Sequence, residues 1–273
     1  MALNSFLGDR AVIRAMLENR KAEYLASPFQ RWLLEKYGHI ILRILGWPLN
    51  IQARQRAMII LDYFNRSEEK ILDAGCSFGV HSYELAKKTG AQVIGIDIDQ
   101  DSLKLGNQIK EILQIENVSF IHGDILNNEF ADGEFDAVLM TQVIEHIEDE
   151  DRLVKEVNRV LKNGSIFILS TDYTDVVEDY MNPKLAAAIK SDKEVPSDLF
   201  VGGGHWRNGY NEERLTTLLE RNGFHILNIS YIRESTIMLL GEMLFPLTYP
   251  LSLLLTRFSR KRVEIIIKAK KRN

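Results

Sequence analysis

A chain of 273 residues with 45% hydrophobic and 26% charged residues can bury a full core, in one large domain or two small ones. Its single cysteine, Cys76, excludes an internal disulfide and indicates a reducing, cytoplasmic location. We expect no signal peptide, because residues 1–20 lack an apolar run. The net charge of −4 divides into +7 over residues 256–273 and −11 over the rest, and this mostly acidic body argues against nucleic acid as a partner.

The first 66 residues show apolar side chains at helical spacing and no strand-like runs. Helices are predicted over residues 9–25, 30–45 and 51–64. The third places four apolar residues at the spacing of a core-facing surface: Ala57, Ile60, Leu61 and Phe64. We therefore predict an N-terminal helical extension over residues 1–66, followed by a second domain over residues 67–273.

From residue 67 onward, short apolar runs alternate with helical segments. Five strands are predicted, over residues 70–74, 92–97, 118–122, 135–141 and 165–171. Helices are predicted over residues 80–88, 101–114 and 149–161. Short strands that alternate with helices indicate βαβ units, and hence a parallel sheet with helices on both faces.

The end of the chain departs from this alternation. A helix over residues 211–222 is predicted to begin after Asn211 as its N-cap and to stop at Gly223. Two more strands are predicted over residues 224–233 and 263–268, and without a clear crossover helix between them an antiparallel pairing is open. The fold class predicted is α/β, a doubly wound and mainly parallel seven-stranded sheet with an N-terminal helical extension.

Acidic residues fall at the ends of the first three strands: Asp73, Asp97 and Asp124. The first is followed by the turn Gly75-Cys76-Ser77-Phe78-Gly79, where glycines let the backbone approach a ligand and the following helix presents N–H groups to an anion. An acidic residue roughly 20 positions after such a turn suits a ribose diol, a spacing that Asp97 meets. Because ligands bind at the carboxyl ends of strands in such sheets, we predict a nucleoside site there.

Three other interpretations of the turn fit the sequence less well. A dinucleotide fingerprint requires G-x-G-x-x-G, and Ser77 replaces one of its glycines while no third follows. A nucleophile elbow, G-x-S-x-G, would need several strands before it, where this sequence predicts helices. A glycine turn without a ligand would leave the three strand-end acids unexplained.

Five segments within about residues 68–170 resemble, in order and spacing, the motifs of class I S-adenosylmethionine-dependent methyltransferases, which have a Rossmann-like fold. The resemblance is to the UbiE/UbiG-like branch, with a methyltransferase domain of type 11. The segments are Ile71–Gly79, Val93–Asp97, His122–Ile125, Phe135–Met140 with Glu145–Ile147, and Arg159–Gly164. In the last of these, Asn163 stands for the family's proline and Ser165 for its second glycine.

The resemblance implies S-adenosylmethionine as the cofactor. Asp73 and Gly75 would shape its methionine end, Asp97 would hold the ribose hydroxyls, and Asp124 would hold the adenine amino group. Two apolar residues would lie against the faces of the adenine ring: Ile98 and Ile125. The other predicted cofactor-binding residues are Ser77, Gly79 and Thr141. Carboxylates also suit a cofactor that carries a sulfonium and an amino group.

Methyl transfer to a nucleophile from a sulfonium needs alignment above all, so no fixed catalytic triad is expected. The predicted catalytic residues are His205, His146 and Glu145, with Asp172 and Tyr210 as further candidates. His205 follows a run of three glycines that suits a mobile lid, although it could also be a loop residue without a functional role. His146 could instead be a histidine that only packs against the sheet. No metal site is predicted, because Gln142 stands where some related O-methyltransferases carry a carboxylate.

An apolar insert over residues 236–262 precedes the last strand. Residues 236–256 hold 13 large apolar side chains and one charge, Glu242. A single membrane crossing is excluded, since the last strand must return to the sheet and Pro246 and Pro250 interrupt a helix. Either the insert makes peripheral contact with the inner membrane surface, or it caps the active site and packs on the N-terminal helices or on the second subunit of a homodimer.

The leading functional prediction is an S-adenosylmethionine-dependent methyltransferase with a small-molecule acceptor, apolar or lipid-linked. Two alternatives stay open: an NAD-linked oxidoreductase on a similar scaffold, and a non-catalytic module that binds the cofactor and acts through its insert.

Overall fold

Seven strands form one mixed sheet in the structure, a computed structural model that describes residues 9–18, 32, 35–40, 51–175, 206–207, 209–234 and 259–273. The strands are β1 (Lys70–Ala74), β2 (Gln92–Asp97), β3 (Val118–His122), β4 (Phe135–Thr141), β5 (Leu161–Asp172), β6 (Phe224–Arg233) and β7 (Arg262–Lys271). Their order is β3-β2-β1-β4-β5-β7-β6, so the strand order reverses beside β1. Ligands bind at such a reversal in doubly wound sheets.

Helices accompany the strands as the sequence predicted. They are α1 (Arg10–Glu18), α2 (Ile51–Tyr63), α3 (Val80–Thr89), α4 (Gln100–Leu113), α5 (Glu150–Val160) and α6 (Glu212–Arg221). Residues 35–40 are also helical, and 3-10 turns lie at Ile125–Asn127 and Ile144–His146. The predicted fold class, with helices at the N-terminus, is confirmed. Within the described part of the chain, no helix is long and apolar enough to cross a membrane.

The chain divides into two compact units. The first contains residues 1–69, 76–124 and 235–258, and the second contains residues 70–75, 125–234 and 259–273. The boundary predicted between residues 66 and 67 stays a prediction.

In the first unit, β2 and β3 pair in parallel, from Val93 opposite Val118 to Asp97 opposite His122. Helix α3 packs on β2 and on α2, whereas α4 packs on β3 and on α1. The residues predicted at core spacing on α2 and its end are all buried: Ala57, Ile60, Leu61 and Phe64. Burial of this apolar surface is what fixes the helices to the sheet.

In the second unit, β1, β4 and β5 are parallel, and β7 runs antiparallel between β5 and β6. The antiparallel alternative for the last two strands is therefore the one observed. β5 begins at Leu161, four residues before its predicted start, because Leu161 pairs with Phe135. β7 continues to Lys271, three residues beyond its predicted end, because strands flank it on both sides.

Candidate functional site

The turn between β1 and α3 is built on left-handed backbone. Gly75, Ser77 and Gly79 have φ angles of 76°, 50° and 85°. A Cβ atom added to Gly75 would lie 2.2 Å from Cγ2 of Val143. One added to Gly79 would lie 2.2 Å from Cζ of Phe120. Both positions therefore require glycine, for backbone conformation and for space.

Ser77 occupies the middle of this turn in a conformation that disfavours any residue with a Cβ atom. Its side chain is exposed, and its backbone N–H donates to Oδ2 of Asp97 over 2.7 Å. The serine therefore adopts a backbone conformation that glycine adopts more readily.

Asp97 ends β2 and is held by backbone donors. Its Oδ2 accepts from Ser77 and its Oδ1 accepts from the N–H of Asp99 over 2.8 Å, while the carboxylate stays partly exposed. We call Ser77, Asp97, Ile98 and Asp99 the β2 edge. A fixed carboxylate that solvent can reach suits the two hydroxyls of a ribose.

Ile98 follows Asp97 and exposes 72% of its surface, which is unusual for a large apolar residue. The imidazole Nε2 of His122 lies 3.1 Å from the carbonyl oxygen of Ile98. The β2 edge thus presents an apolar side chain beside a carboxylate, as a nucleoside base and its ribose require. No pattern in the sequence predicts this hydrogen bond of His122.

Asp124 and Ile125, the predicted adenine contacts after β3, differ in exposure. Asp124 is partly exposed, and Gly123 before it donates its N–H to the carbonyl oxygen of Asp97 over 3.0 Å. Ile125 opens a 3-10 turn in the second unit and is buried. Of the two isoleucines predicted against the adenine ring, only Ile98 lies on the surface.

Two further predicted cofactor residues lie in the second unit. Asp73, near the end of β1, is 1% exposed and stands opposite Leu139 of β4. Thr141 ends β4, is partly exposed, and stands opposite Ser170 of β5. A carboxylate buried to this degree needs a polar or cationic partner to remain charged.

Beyond β4, four polar residues form what we call the carboxylate cluster: Gln142, Glu145, Thr171 and Asp172. Glu145 is fully buried and accepts from Oγ1 of Thr171 over 2.9 Å. With its amide nitrogen turned toward the acids, Gln142 donates to Oε1 of Glu145 over 3.2 Å and to Oδ1 of Asp172 over 3.0 Å. Gln142 itself has a left-handed φ of 54°.

The backbone of Glu145 holds the segment that precedes α6. Its carbonyl oxygen accepts from the N–H of Trp206 over 2.8 Å and of Arg207 over 3.3 Å. His146, the next residue, is partly exposed and donates its own N–H to the carbonyl oxygen of Val143. The third predicted catalytic residue, His205, lies outside the described residues.

Tyr210, a further catalytic candidate, is fully buried and donates its hydroxyl to Glu150 over 3.0 Å. Two arginines also bind this carboxylate, Arg207 at 3.2 Å and Arg214 at 2.9 Å. Burial, with Glu150 nearby, raises the pKa of Tyr210 well above its usual range, so its hydroxyl keeps its proton. The geometry gives Tyr210 a structural contact, which the sequence did not reveal.

Gln142 also bears on metal binding. Its amide donates to two carboxylates at the position where some related O-methyltransferases carry a carboxylate, and an amide nitrogen is no ligand for Mg²⁺. Across the ranges that the structure describes, no three acidic, histidine or cysteine residues are grouped as metal ligands.

Comparison with known proteins identifies the family to which the chain belongs. Residues 65–223, more than half of the chain, match the family model described as a methyltransferase domain. The chain is 36% identical over 113 residues to norajmaline N-methyltransferase of Rauvolfia serpentina, covering 41% of this chain and 39% of that protein. It is 32% identical over 156 residues to demethylmenaquinone methyltransferase of Staphylococcus saprophyticus, covering 56% and 64%. The chain thus spans well under half of the first relative.

Among solved structures, geranyl diphosphate C-methyltransferase of Streptomyces coelicolor superposes with a TM-score of 0.59 over 80% of this chain and 79% of that one. Sequence identity is 17%, so this similarity shows the fold alone. That structure contains Mg²⁺, geranyl diphosphate and S-adenosyl-L-homocysteine.

Proposed function

Since this chain belongs to the methyltransferase-domain family, whose methyl donor is S-adenosylmethionine, we propose that it transfers a methyl group to a small apolar or lipid-linked acceptor. The β2 edge is the observation that carries this proposal. There a partly exposed carboxylate is held by two backbone N–H groups beside an isoleucine that is 72% exposed. A nucleoside cofactor would bind the carboxylate through its ribose and cover the isoleucine with its base.

The resemblance to the methyltransferase motifs implies the individual cofactor contacts. Asp97 would bind the ribose hydroxyls, Asp124 the adenine amino group, and Asp73 with Gly75 the methionine end. The cofactor supplies a methyl group already activated by sulfonium. What the chain supplies is binding and orientation, and alignment of this kind contributes roughly 7–11 kcal/mol in favourable cases.

In the transfer, a lone pair of the acceptor attacks the methyl carbon, the carbon–sulfur bond breaks, and its electron pair stays on sulfur to give S-adenosylhomocysteine. An acceptor that carries a proton on its nucleophilic atom then loses it to a base, a step worth about 10²–10⁴-fold. We assign that base to His146 or His205. Glu145, buried and bonded to Thr171, acts as a positioning residue in this proposal.

The acceptor class is supported by sequence composition and by the relatives. Residues 236–256 contain 13 large apolar side chains, a composition that favours an apolar partner over a polar metabolite. The two curated relatives are named for small-molecule acceptors, norajmaline and demethylmenaquinone. A cytoplasmic location belongs to the proposal and is supported by the single cysteine.

Calorimetry with S-adenosylmethionine tests the cofactor assignment. Asp97→Ala should weaken binding about 10- to 100-fold, because hydrogen bonds to a charged group are worth about 1.5–3 kcal/mol. Asp101→Ala is the matched control, an exposed carboxylate in the first turn of α4 that pairs with Lys104. Equal binding by both variants would refute the role of Asp97, and binding of NAD in preference to S-adenosylmethionine would favour an oxidoreductase.

Transfer of a radioactive methyl group to a cell extract tests the activity and the acceptor. We expect label in the organic-solvent fraction, identified by mass. Label in the nucleic-acid fraction or in water-soluble metabolites would contradict the acceptor class. Tight cofactor binding with no transfer would instead favour a non-catalytic module.

A further inference from the structure

Basic side chains gather where β6 ends and β7 begins. We call these four residues the basic edge: Arg233, Arg260, Lys261 and Arg262. All four side chains are exposed, and all belong to the second unit. They contrast with a chain whose first 255 residues carry a net charge of −11.

Two of these arginines face each other across the sheet. Arg233 stands opposite Arg262 on antiparallel strands, and like charges in that position repel. Arg262 lies over the ring of Tyr231, with its guanidinium carbon 4.0 Å from the ring centroid. This contact holds the guanidinium in place but does not neutralise its charge. A pair of like charges kept at a sheet edge is stabilised when an anion binds there.

Three carboxylates near the basic edge have their own partners. Glu234 pairs with Lys261 at 2.5 Å. Asp175 accepts from the hydroxyl of Tyr173, and Glu212 accepts from the hydroxyl of Tyr231. Among the described residues, one of the four basic charges is thus paired with a carboxylate, and the four basic residues outnumber the three carboxylates.

The described residues on either side of the apolar run in the sequence meet at the basic edge. The N–H of Glu234 donates to the carbonyl oxygen of Lys261 over 2.9 Å, and Nη1 of Arg233 donates to the carbonyl oxygen of Ser259 over 3.3 Å. The residues that precede and follow 235–258 in the chain therefore lie side by side. Their sequence is rich in large apolar residues and contains one acid, Glu242, and one base, Arg257.

We propose that the basic edge binds the anionic headgroups of a phospholipid membrane. A free phosphate would satisfy the charges alone, whereas a membrane also matches the apolar sequence between the flanking residues that meet there. Because those flanking residues lie side by side, the contact is peripheral. The proposal does not rest on methyl transfer and holds for an inactive enzyme as well.

Vesicle flotation of the full chain tests this inference. The double variant Arg233→Gln, Arg260→Gln removes two charges and leaves Arg262 on its tyrosine. With vesicles of phosphatidylcholine and 30 mol% phosphatidylglycerol, we expect binding about 25-fold weaker than wild type, since each of the two basic residues near an anionic surface contributes about fivefold. Raising the salt from 50 to 500 mM should weaken wild-type binding in the same direction.

The matched control is Lys270→Gln, Arg272→Gln, which removes two exposed charges at the opposite end of β7 and should bind like wild type. Equal losses in both double variants would show a general charge effect and overturn the proposal. So would equal binding to pure phosphatidylcholine vesicles, displacement by 20 mM inorganic phosphate, or tighter binding to an RNA duplex than to the vesicles. Cofactor calorimetry on the same variants, expected to be unchanged, separates this result from a failure of the proposed function.

Discussion

Asp97 in the β2 edge and Glu145 in the carboxylate cluster are both carboxylates that follow or end a strand, yet different partners hold them. Asp97 is partly exposed and accepts from the backbone N–H groups of Ser77 and Asp99. Glu145 is fully buried, and its carboxylate accepts from the side chains of Thr171 and Gln142. A backbone N–H donor remains when the side chain of its residue is substituted, whereas a side-chain donor is lost. The first arrangement therefore depends mainly on backbone conformation, and the second depends on the identity of two particular side chains.

The largest expected effect concerns the backbone on which the β2 edge depends. Gly79→Ala should lower the free energy of unfolding by about 2–5 kcal/mol, from the left-handed backbone and the clash with Phe120. Gly90→Ala, at the other end of α3, has a similar φ of 80° but nothing within 4 Å of its new Cβ, and should lose only about 1–2 kcal/mol. Urea unfolding of both variants measures the difference, and equal losses would mean that space at Gly79 is not limiting.

The carboxylate cluster provides a matched pair of neighbours in β5. Thr171→Val should lower the free energy of unfolding by about 1–3 kcal/mol, because it removes a donor from buried Glu145. Ser170 is equally buried, but its hydroxyl has no hydrogen-bond partner among the described residues, so Ser170→Ala should change stability by less than about 0.5 kcal/mol. Denaturant midpoints decide between them, and a larger loss for Ser170→Ala would contradict the assigned network.

His81, in the first turn of α3, extends the comparison to a buried base. Burial and the charge of Arg56 lower the pKa of His81 from 6.5 to about 3, so its imidazole is neutral in the folded chain. Below pH 6.5 the unfolded chain takes up the proton first, and stability falls as the pH drops toward 3.

Between pH 7 and pH 5 this group should cost the wild type about 1–2 kcal/mol, a loss that His81→Gln should escape. Unfolding curves at the two pH values provide the test. An identical pH dependence in both proteins would show that His81 is protonated at its ordinary pKa in the folded state.

The smallest effect is expected at Ser77. Ser77→Gly relieves the left-handed conformation at φ 50° but increases the freedom of the unfolded chain, and these changes offset each other to within about 0.5 kcal/mol. Affinity for S-adenosylmethionine should stay within about twofold, because the N–H that reaches Asp97 remains. Calorimetry beside thermal unfolding checks both quantities. A tenfold loss of affinity would show that the hydroxyl itself contacts the cofactor.

The local pattern of apolar and turn residues in the sequence predicts the positions of most strands in the sheet. β1 to β4 and β6 begin and end where apolar runs meet turn residues, and Asn211 caps α6 by accepting from the N–H of Arg214. These features depend on neighbours a few positions away, so periodicity and capping chemistry reveal them. The strand-end positions of Asp73 and Asp97 follow from the same strand boundaries.

Periodicity and capping chemistry do not predict contacts between residues that are distant in the chain. The start of β5 depends on Phe135, and the length of β7 depends on two strands that flank it. The sequence predicts a missing metal ligand at Gln142, but its position between Glu145 and Asp172 is seen only in the structure. The sequence predicts Tyr210 as a catalytic candidate, whereas in the structure its hydroxyl binds Glu150, which two arginines also bind.

The sequence by itself thus determined the kind of fold, the glycine turn and the acids that follow the first strands, because each is encoded within one βα segment. Tertiary structure alone decided which polar groups meet: Asp97 with the turn, Glu145 with its side-chain donors, and Arg233 with Arg262. Such pairings arise from strand register and burial, which bring together residues 20 to 30 positions apart in the chain. No local propensity specifies them.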